Sequence, residues 1–288
     1  MSGGPDSLAL LLLAAYCFEG RVEAITIDHR LRSEAAAEAE LTSKICDDLN
    51  VPHTTVELLR KPRGNLSSKY RELRYAQMHE WAKRRTLDWL MTGHHADDQL
   101  ETVIMRLNRG SGVGGLSAIR RRNGITVRPL LGWRRAELAA IVQQAGLQPA
   151  HDPSNHDERF DRARLRKALK GSDWLDPLAI AQSANAMEDA DVALAWAAHR
   201  IGNERVDKAG DALVLNLGDV PAEIERRIVA ACIRLLNAKA KLDGPKVTRL
   251  IGTLRASGKA TLDGVVCDAR GEAWVMRLAP PRMPVRSA

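Results

Sequence analysis

Along the first half of the chain, short β-branched or apolar segments alternate with helical patterns, and that alternation leaves few folds open. The run Ser7–Phe18 is apolar and helix-like, and it follows directly on a glycine-rich turn. Val22–Ile27 reads as a β-branched strand ending in Asp28, and Ser33–Leu49 as a charged, Ala-rich helix with Ser33 as its cap. His53–Glu57 is a second strand, Ser67–Arg85 a helix, and Leu87–Thr92 an apolar strand closed by Gly93. Ala96–Arg109 then carries Ile, Leu and Met at helical spacing. Strands separated by helices imply an α/β fold, a Rossmann-like parallel sheet covered on both faces.

The pattern changes in the second half. Ile119–Arg135 carries six arginines and no acid, and Arg159–Lys170 carries four arginines and two lysines against one aspartate. Beyond Gly171 the helical stretches are Pro177–Arg205, Ala222–Asn237 and Pro245–Ala256. Ala260–Cys267 and Ala273–Leu278 alternate as two strands around Asp268–Gly271. The expectation is a first domain over 1–171 and a smaller, mainly helical domain over 172–288 that ends in a β-hairpin. The Pro/Arg-rich segment Ala279–Ala288 is expected to fray.

Composition narrows the partners. The 288 residues carry 43 Lys and Arg against 36 Asp and Glu, a formal charge of +7. That surplus suits an anionic partner such as RNA or phosphates, although it also fits a merely basic enzyme. Cys17, Cys46, Cys232 and Cys267 form no C-x-x-C pair, so a zinc knuckle, an iron–sulfur cluster and a redox pair are disfavoured. They read as buried thiols in a reducing, cytoplasmic setting. The longest apolar run, Leu8–Phe18, is too short to span a bilayer, and Asp6 rather than a cation precedes it, against a signal peptide.

Three polar clusters follow three strand positions. In Ser2-Gly3-Gly4-Pro5-Asp6-Ser7, two glycines permit a tight turn and helix-start amides point outward, which suits an anion. An ordinary capped turn has the same composition. Asp28-His29 follows the next strand, and Gly93-His94-His95-Ala96-Asp97-Asp98-Gln99-Leu100-Glu101-Thr102 follows a third. Asp98 and Glu101 share a helix face and could hold a magnesium ion or an ammonium group. Asp97 reads as a complement to the helix dipole. His94 and His95 could be metal ligands, phosphate donors or satisfied strand-end groups. In an open parallel sheet these strand ends meet at one crevice, where ligands bind. Arg106, Arg109 and the loop Gly110–Gly115 suit a phosphate or a flexible connector. The arginines at 120–122 and 162–166 could track an RNA backbone or simply be solvated.

Together these residues resemble the N-type ATP pyrophosphatase (PP-loop) family, whose S-G-G-x-D-S signature stands here as Ser2–Ser7. Within that family the likeness is to the tRNA(Ile)-lysidine synthetase branch. It is carried by Ile27-Asp28-His29, Leu73-Arg74-Tyr75, Gly93–Thr102, Arg106–Leu116, Arg128-Pro129-Leu130 and Asp152-Pro153-Ser154-Asn155, over about residues 2–170. The resemblance implies an adenine nucleotide alpha hydrolase-like fold and a cytoplasmic ligase. ATP would adenylate the wobble cytidine of a CAU-anticodon isoleucine tRNA, and free L-lysine would displace AMP. It further implies that Ser2, Gly3, Gly4, Pro5, Asp6, Ser7, Gly93, His94 and Arg109 bind ATP. Magnesium would sit on Asp6 and Asp28, and Asp98, Glu101 and Asp28 would be catalytic. Arg74, Arg106, Arg120, Arg121, Arg122, Arg162, Arg164 and Arg166 would contact tRNA. No membrane is implied, and a homodimer is left open.

Three departures qualify the likeness. Family members lead into the signature with an apolar strand, whereas only Met1 precedes Ser2 here, so a late start or truncation and exposed strand edges are expected. The R-N-R block reads Arg162-Ala163-Arg164, so Ala163 carries no role. The chain is also too short for the extra C-terminal domain of longer members. Competing readings are a metal-dependent phosphohydrolase built on the His and Asp clusters, a tRNA thiolase on the same fold, and a tRNA-binding module without ATP chemistry.

Overall fold

The computed structural model describes residues 1–28, 34–57, 66–150 and 161–280. Ser33, His29, Asp152–Asn155 and residues 281–288 lie outside them. The chain divides into two compact units, Met1–Met187 and Glu188–Ala288. The junction of these units falls inside a helix that runs unbroken from Pro177 to Arg205.

The first unit orders its elements as α1 (Pro5–Cys17), β1 (Ala24–Asp28), α2 (Glu34–Asp48), β2 (His53–Glu57), α3 (Leu66–Arg84), β3 (Leu90–Met91) and α4 (Ala96–Leu107). There follow α5 (Val113–Leu116), β4 (Arg122–Asn123), β5 (Thr126–Val127), a 3-10 turn at Pro129–Gly132, α6 (Arg135–Gln144), α7 (Asp161–Leu169) and the start of α8 (Pro177–Arg205). β1 and β2 pair in parallel from Ala24↔His53 to Asp28↔Glu57. β3 pairs in parallel with β5, and β4 closes that sheet antiparallel. The single sheet expected from sequence is therefore two ladders, β1-β2 and β3-β5-β4. The Met1 amino group donates to Ile25 O in β1.

Alternation along β1 explains why helices cover both of its faces. Ala24 joins a cluster with Leu8, Leu11, Ile45, Leu138 and Val142, which come from α1, α2 and α6. Ile25 and Ile27 point the other way and pack with Met78, Trp81 and Ala82 of α3 and with Leu90. A strand buried on both faces reads as a continuous apolar run, as Ala24–Ile27 does. Leu8 and Leu138 are fully buried where α1 meets α6, so the helix that follows the glycine turn is pinned by its side chains.

In the second unit, β6 (Val206–Ala209), β7 (Ala212–Leu215), β8 (Lys259–Leu262), β9 (Val265–Asp268) and β10 (Trp274–Leu278) form one antiparallel sheet of order β6-β7-β10-β9-β8. α9 (Ala222–Leu236) and α10 (Gly244–Ser257) supply Ile228, Val229, Ile233, Leu250 and Leu254 to a core shared with Leu215, Val265, Cys267 and Met276. Sequence expected mainly helix and one hairpin here. Its strand Ala260–Cys267 is split by Asp263 and Gly264, both at positive φ, the two-residue turn that Asp-Gly favours. The first hairpin, β6-β7, turns at Gly210-Asp211, with Gly210 at positive φ, and adds two strands to the expected pair. Asp191 of α8 and Arg227 of α9 form a half-buried pair at 2.5 Å, which fixes those helices together.

Cys46, Cys232 and Cys267 are buried and free, as expected, but Cys17 is exposed because it ends α1. Burial raises the thiol of Cys46 to about 11. Among the described residues no helix is long and apolar enough to cross a membrane. Leu8→Ala should cost about 3 kcal/mol in denaturant unfolding, because it opens a cavity under α1.

Candidate functional site

The glycine turn takes the shape its sequence requires. Gly3 adopts φ 68°, a left-handed conformation that glycine enters without strain. Gly4 is the N-cap of α1, with Pro5 in its first turn. Ser7 Oγ donates to Gly4 O at 3.0 Å and lies 3.2 Å from Ser2 Oγ. The loop thus folds around Ser7 and presents helix-start amides. Gly3 O accepts from Ala150 N at 2.9 Å.

Gly93 fixes the distance between this loop and the end of β3. A Cβ there would stand 2.8 Å from the Asp6 carbonyl oxygen and 3.2 Å from its carbon. Both obstacles are backbone, so neither can swing aside. Gly93 is therefore a position where the loop backbone and the strand end approach closely.

His95 joins the loop to α4. It is 2% exposed, and its Nε2 lies 3.5 Å from Asp6 Oδ2 and 3.5 Å from Asp98 Oδ2. Its Nδ1 lies 3.6 Å from Asp97 Oδ2. Burial alone would lower the pKa of this imidazole, but hydrogen bonds to Asp6 and Asp97 and the Asp98 charge outweigh it and raise it to about 9. His95 is then an imidazolium at neutral pH, with both ring nitrogens donating. In that state Nδ1 cannot accept from Asp98 N, which stands 3.4 Å away. The cap of α4 rests instead on the reverse bond, His95 N to Asp98 Oδ2 at 3.2 Å. Asp97, read from sequence as a dipole complement, also accepts from Arg135 N at 2.8 Å and so ties α4 to α6.

The neighbouring ring is in the opposite state. Burial, then the charges of Arg71, Arg128, Arg162 and Arg74, depress His94 to about 3. Neutral His94 pairs through Nδ1 with Thr92 Oγ1 at 3.0 Å, and Nε2 faces Arg71 Nη2 at 3.5 Å. One imidazolium among carboxylates and one neutral ring among arginines do not make a paired histidine metal site.

Arg74, expected to face RNA, is half-buried within this arginine group. Burial lowers its pKa, and its Nε is buried without a hydrogen-bond partner. Such a gathering of cations stores repulsion that an anion would relieve. Sequence reasoning missed Arg71 and Arg128 as site residues. The signal for Arg71 was its spacing of three from Arg74, which puts both on one face of α3.

Glu101 is 5% exposed on α4, and Arg166 of α7 grips both of its oxygens. Arg166 Nη2 also lies 3.7 Å from Asp98 Oδ1, and Arg162 donates to Thr102 Oγ1 at 2.7 Å. These contacts set Arg162 and Arg166 inside the site. Arg106 and Arg164 are exposed. Arg109, on the loop after α4, faces Asp161 at 3.4 Å. Arg122 lies over Trp89, 4.6 Å from its centroid. Gln99 holds Ile119 through two bonds of 2.9 and 2.8 Å, and Arg128 Nη1 donates to Arg120 O at 2.7 Å, which anchors the segment bearing Arg120 and Arg121. Asp28 closes β1 opposite Glu57. A cleft of about 850 Å³ is lined by Pro5, Asp97, Glu101, Arg134, Arg166 and Lys170, among others.

A glycine loop at a helix start, buried acids beyond a strand end and a ring of arginines define a nucleotide-handling α/β site, and comparison with known proteins agrees. A family model described as "PP-loop domain" matches residues 1–172. The tRNA(Ile)-lysidine synthase of Zymomonas mobilis subsp. mobilis is 40% identical over 291 residues, covering 98% of this chain and 88% of that protein. The protein of the same name from Novosphingobium aromaticivorans is 40% identical over 287 residues, covering 97% and 88%. The chain belongs to the tRNA(Ile)-lysidine synthase family of PP-loop proteins. A solved structure, the U34-tRNA thiolase NcsA from Methanococcus maripaludis with its [4Fe-4S] cluster, shares the fold at TM-score 0.54 and 17% identity, over 65% of this chain and 70% of that one.

Two outcomes follow from this geometry. Gly93→Ala should displace the Asp6 backbone and lower stability by about 1–3 kcal/mol in thermal or denaturant unfolding. The second concerns pH. The folded pKa of His95 stands above its ordinary 6.5, so the stability it contributes is complete below pH 6.5 and is lost as pH rises through about 9. In chelator-containing buffer, unfolding free energy should fall by about 3 kcal/mol across that window, and His95→Gln should remove the fall.

Proposed function

We propose that this chain ligates lysine to the wobble cytidine of a CAU-anticodon isoleucine tRNA at the expense of ATP. What supports this most is the contact of His95 Nε2 with both Asp6 and Asp98 at 3.5 Å, which brings the glycine loop and the acid pair close together. Activation and attack must occur on the same carbon, so both functions are needed within one cleft.

In the first step the cytidine 2-carbonyl oxygen attacks the α-phosphorus of ATP and pyrophosphate leaves. Ser2, Gly3, Gly4, Pro5, Asp6 and Ser7 would cradle the pyrophosphate through amides and hydroxyls at the start of α1. The arginines around neutral His94 would stabilise charge developing at the α-phosphate, and Gly93 lets the loop approach. Arg109 would add a phosphate contact. Asp6 Oδ1 is buried with no hydrogen-bond partner, an open hard-oxygen donor of the kind magnesium takes. Asp6 and Asp28 would hold the ion, and when bound it neutralises the pyrophosphate.

In the second step the lysine ε-nitrogen attacks C2 of the adenylated base and AMP leaves. Asp98 and Glu101 would receive the ammonium, and one of them would accept its proton so that a neutral amine attacks. Arg106, Arg120, Arg121, Arg122, Arg162 and Arg164 would meet the tRNA backbone. Residues 1–171 form the catalytic domain in this reading, and 172–288 bind tRNA. A cytoplasmic setting fits all three substrates.

The test is incubation with transcribed CAU-anticodon isoleucine tRNA, ATP, magnesium and labelled lysine. Label should enter the RNA only when all are present. Asp98→Asn should lower that incorporation by about a hundredfold or more, while ATP–pyrophosphate exchange with tRNA persists. Incorporation at the unmutated rate would remove Asp98 from the amine step.

A further inference from the structure

The carboxylates assigned to the amine already hold a cation. Glu101 is 5% exposed, and the fork of Arg166 takes both of its oxygens, Nη2 to Oε2 at 3.1 Å and Nε to Oε1. Arg162 Nε stands 3.6 Å from Oε2. Asp98 presents Oδ1 to Arg166 at 3.7 Å, and its Oδ2 accepts from His95 N at 3.2 Å. An incoming ammonium needs these same acceptors and carries the same charge. It and the Arg166 guanidinium cannot be held together there, because like charges at such separations repel strongly in a buried site.

The means of release is also in the fold. α7 contributes no fully buried residue, with Ala163, Leu165 and Leu169 only half-buried, and the Arg162 and Arg166 side chains are held by polar contacts. The Arg166 side chain can exchange these contacts for others while the half-buried apolar residues of α7 stay where they are. Asp6, in the loop that would cradle phosphates, is close enough for its charge to act on Arg166. A guanidinium binds phosphate oxygens bidentately, as it binds a carboxylate, and with comparable strength.

We propose that Arg166 is a resident stand-in for the amine. Its guanidinium fills the Glu101–Asp98 pair in the nucleotide-free chain and transfers to a phosphate when nucleotide binds, so the amine is admitted only after the nucleotide is in place. This rests on the reading that Asp98 and Glu101 receive lysine. Departure of the guanidinium frees Glu101 Oε1 and Asp98 Oδ1, while Arg162 and His95 stay beside Oε2 and Oδ2, and the two freed oxygens then receive the ammonium. Early lysine finds no acceptors, which orders the substrates without any separate lid. Arg166 is in this respect a positioning residue for substrate order.

Equilibrium dialysis of labelled L-lysine against the full chain tests the proposal. Four arms are needed: the chain alone, the chain with magnesium and α,β-methylene-ATP, and the variants Arg166→Gln and Arg166→Lys without nucleotide. The chain alone should bind lysine at least about tenfold more weakly than the nucleotide-loaded chain. Arg166→Gln should gain about that factor without nucleotide, and Arg166→Lys, which loses the bidentate fork, should fall between. A loss of packing would weaken binding, so a gain separates the gate from a structural role. Equal lysine affinity with and without nucleotide overturns the proposal, as does unchanged or weaker binding by both variants. If Arg166→Gln does not fold, the nucleotide comparison and Arg166→Lys decide. Asp98→Asn separates the two levels. If it binds lysine normally in the loaded state, the amine subsite itself is misassigned; if it loses binding while nucleotide has no effect, the gate alone fails.

Discussion

His95 is a positive charge buried among three aspartates. A lone buried imidazolium would be strongly disfavoured, and so would three carboxylates crowded without a cation. Together they hold each other in place: Nε2 reaches Asp6 and Asp98, and Nδ1 reaches Asp97. Through that one ring the glycine loop, the start of α4 and, by Asp97 and Arg135 N, the start of α6 become a single rigid corner. The rest of the first unit serves this corner. Leu8 and Leu138 fix α1 against α6, and Gly93 lets the strand end come within van der Waals contact of the loop.

Charge is sorted by sign across a short distance. His94 and His95 are consecutive in the chain, yet one is held neutral among arginines and the other protonated among carboxylates. Extended backbone before α4 turns adjacent side chains to opposite sides, which is why neighbours meet such different surroundings. An anionic nucleotide suits the arginine side and a cationic amine suits the carboxylate side. Glu101 and Arg166 bridge the two, and that bridge is where the order of binding can be set.

Much of this was legible in the residues. The α/β alternation, the glycine turn, and the Asp98–Glu101 face followed from periodicity and local chemistry. The elements that escaped were short or divided. β4-β5 turns at Gly124-Ile125, with Gly124 at positive φ, and β8-β9 at Asp263-Gly264, both hairpin signals overlooked inside arginine-rich or apolar runs. The arginines escaped differently. Sequence shows a cation but not its burial, so Arg74 reads as a surface contact although it is half-buried, and Arg166 does so because its partner Glu101 lies 65 residues away. The protonation of His95 was equally hidden, since it depends on Asp6, which only the fold brings near.

The most direct measurement is the pH titration of the His95 ring nitrogens by ¹⁵N NMR in chelator-containing buffer, assigned with His95→Gln. Both nitrogens should be protonated at neutral pH, with a midpoint near 9. A single proton on the ring at neutral pH, with a midpoint at or below the ordinary 6.5, would mean that no imidazolium joins the loop to the acids.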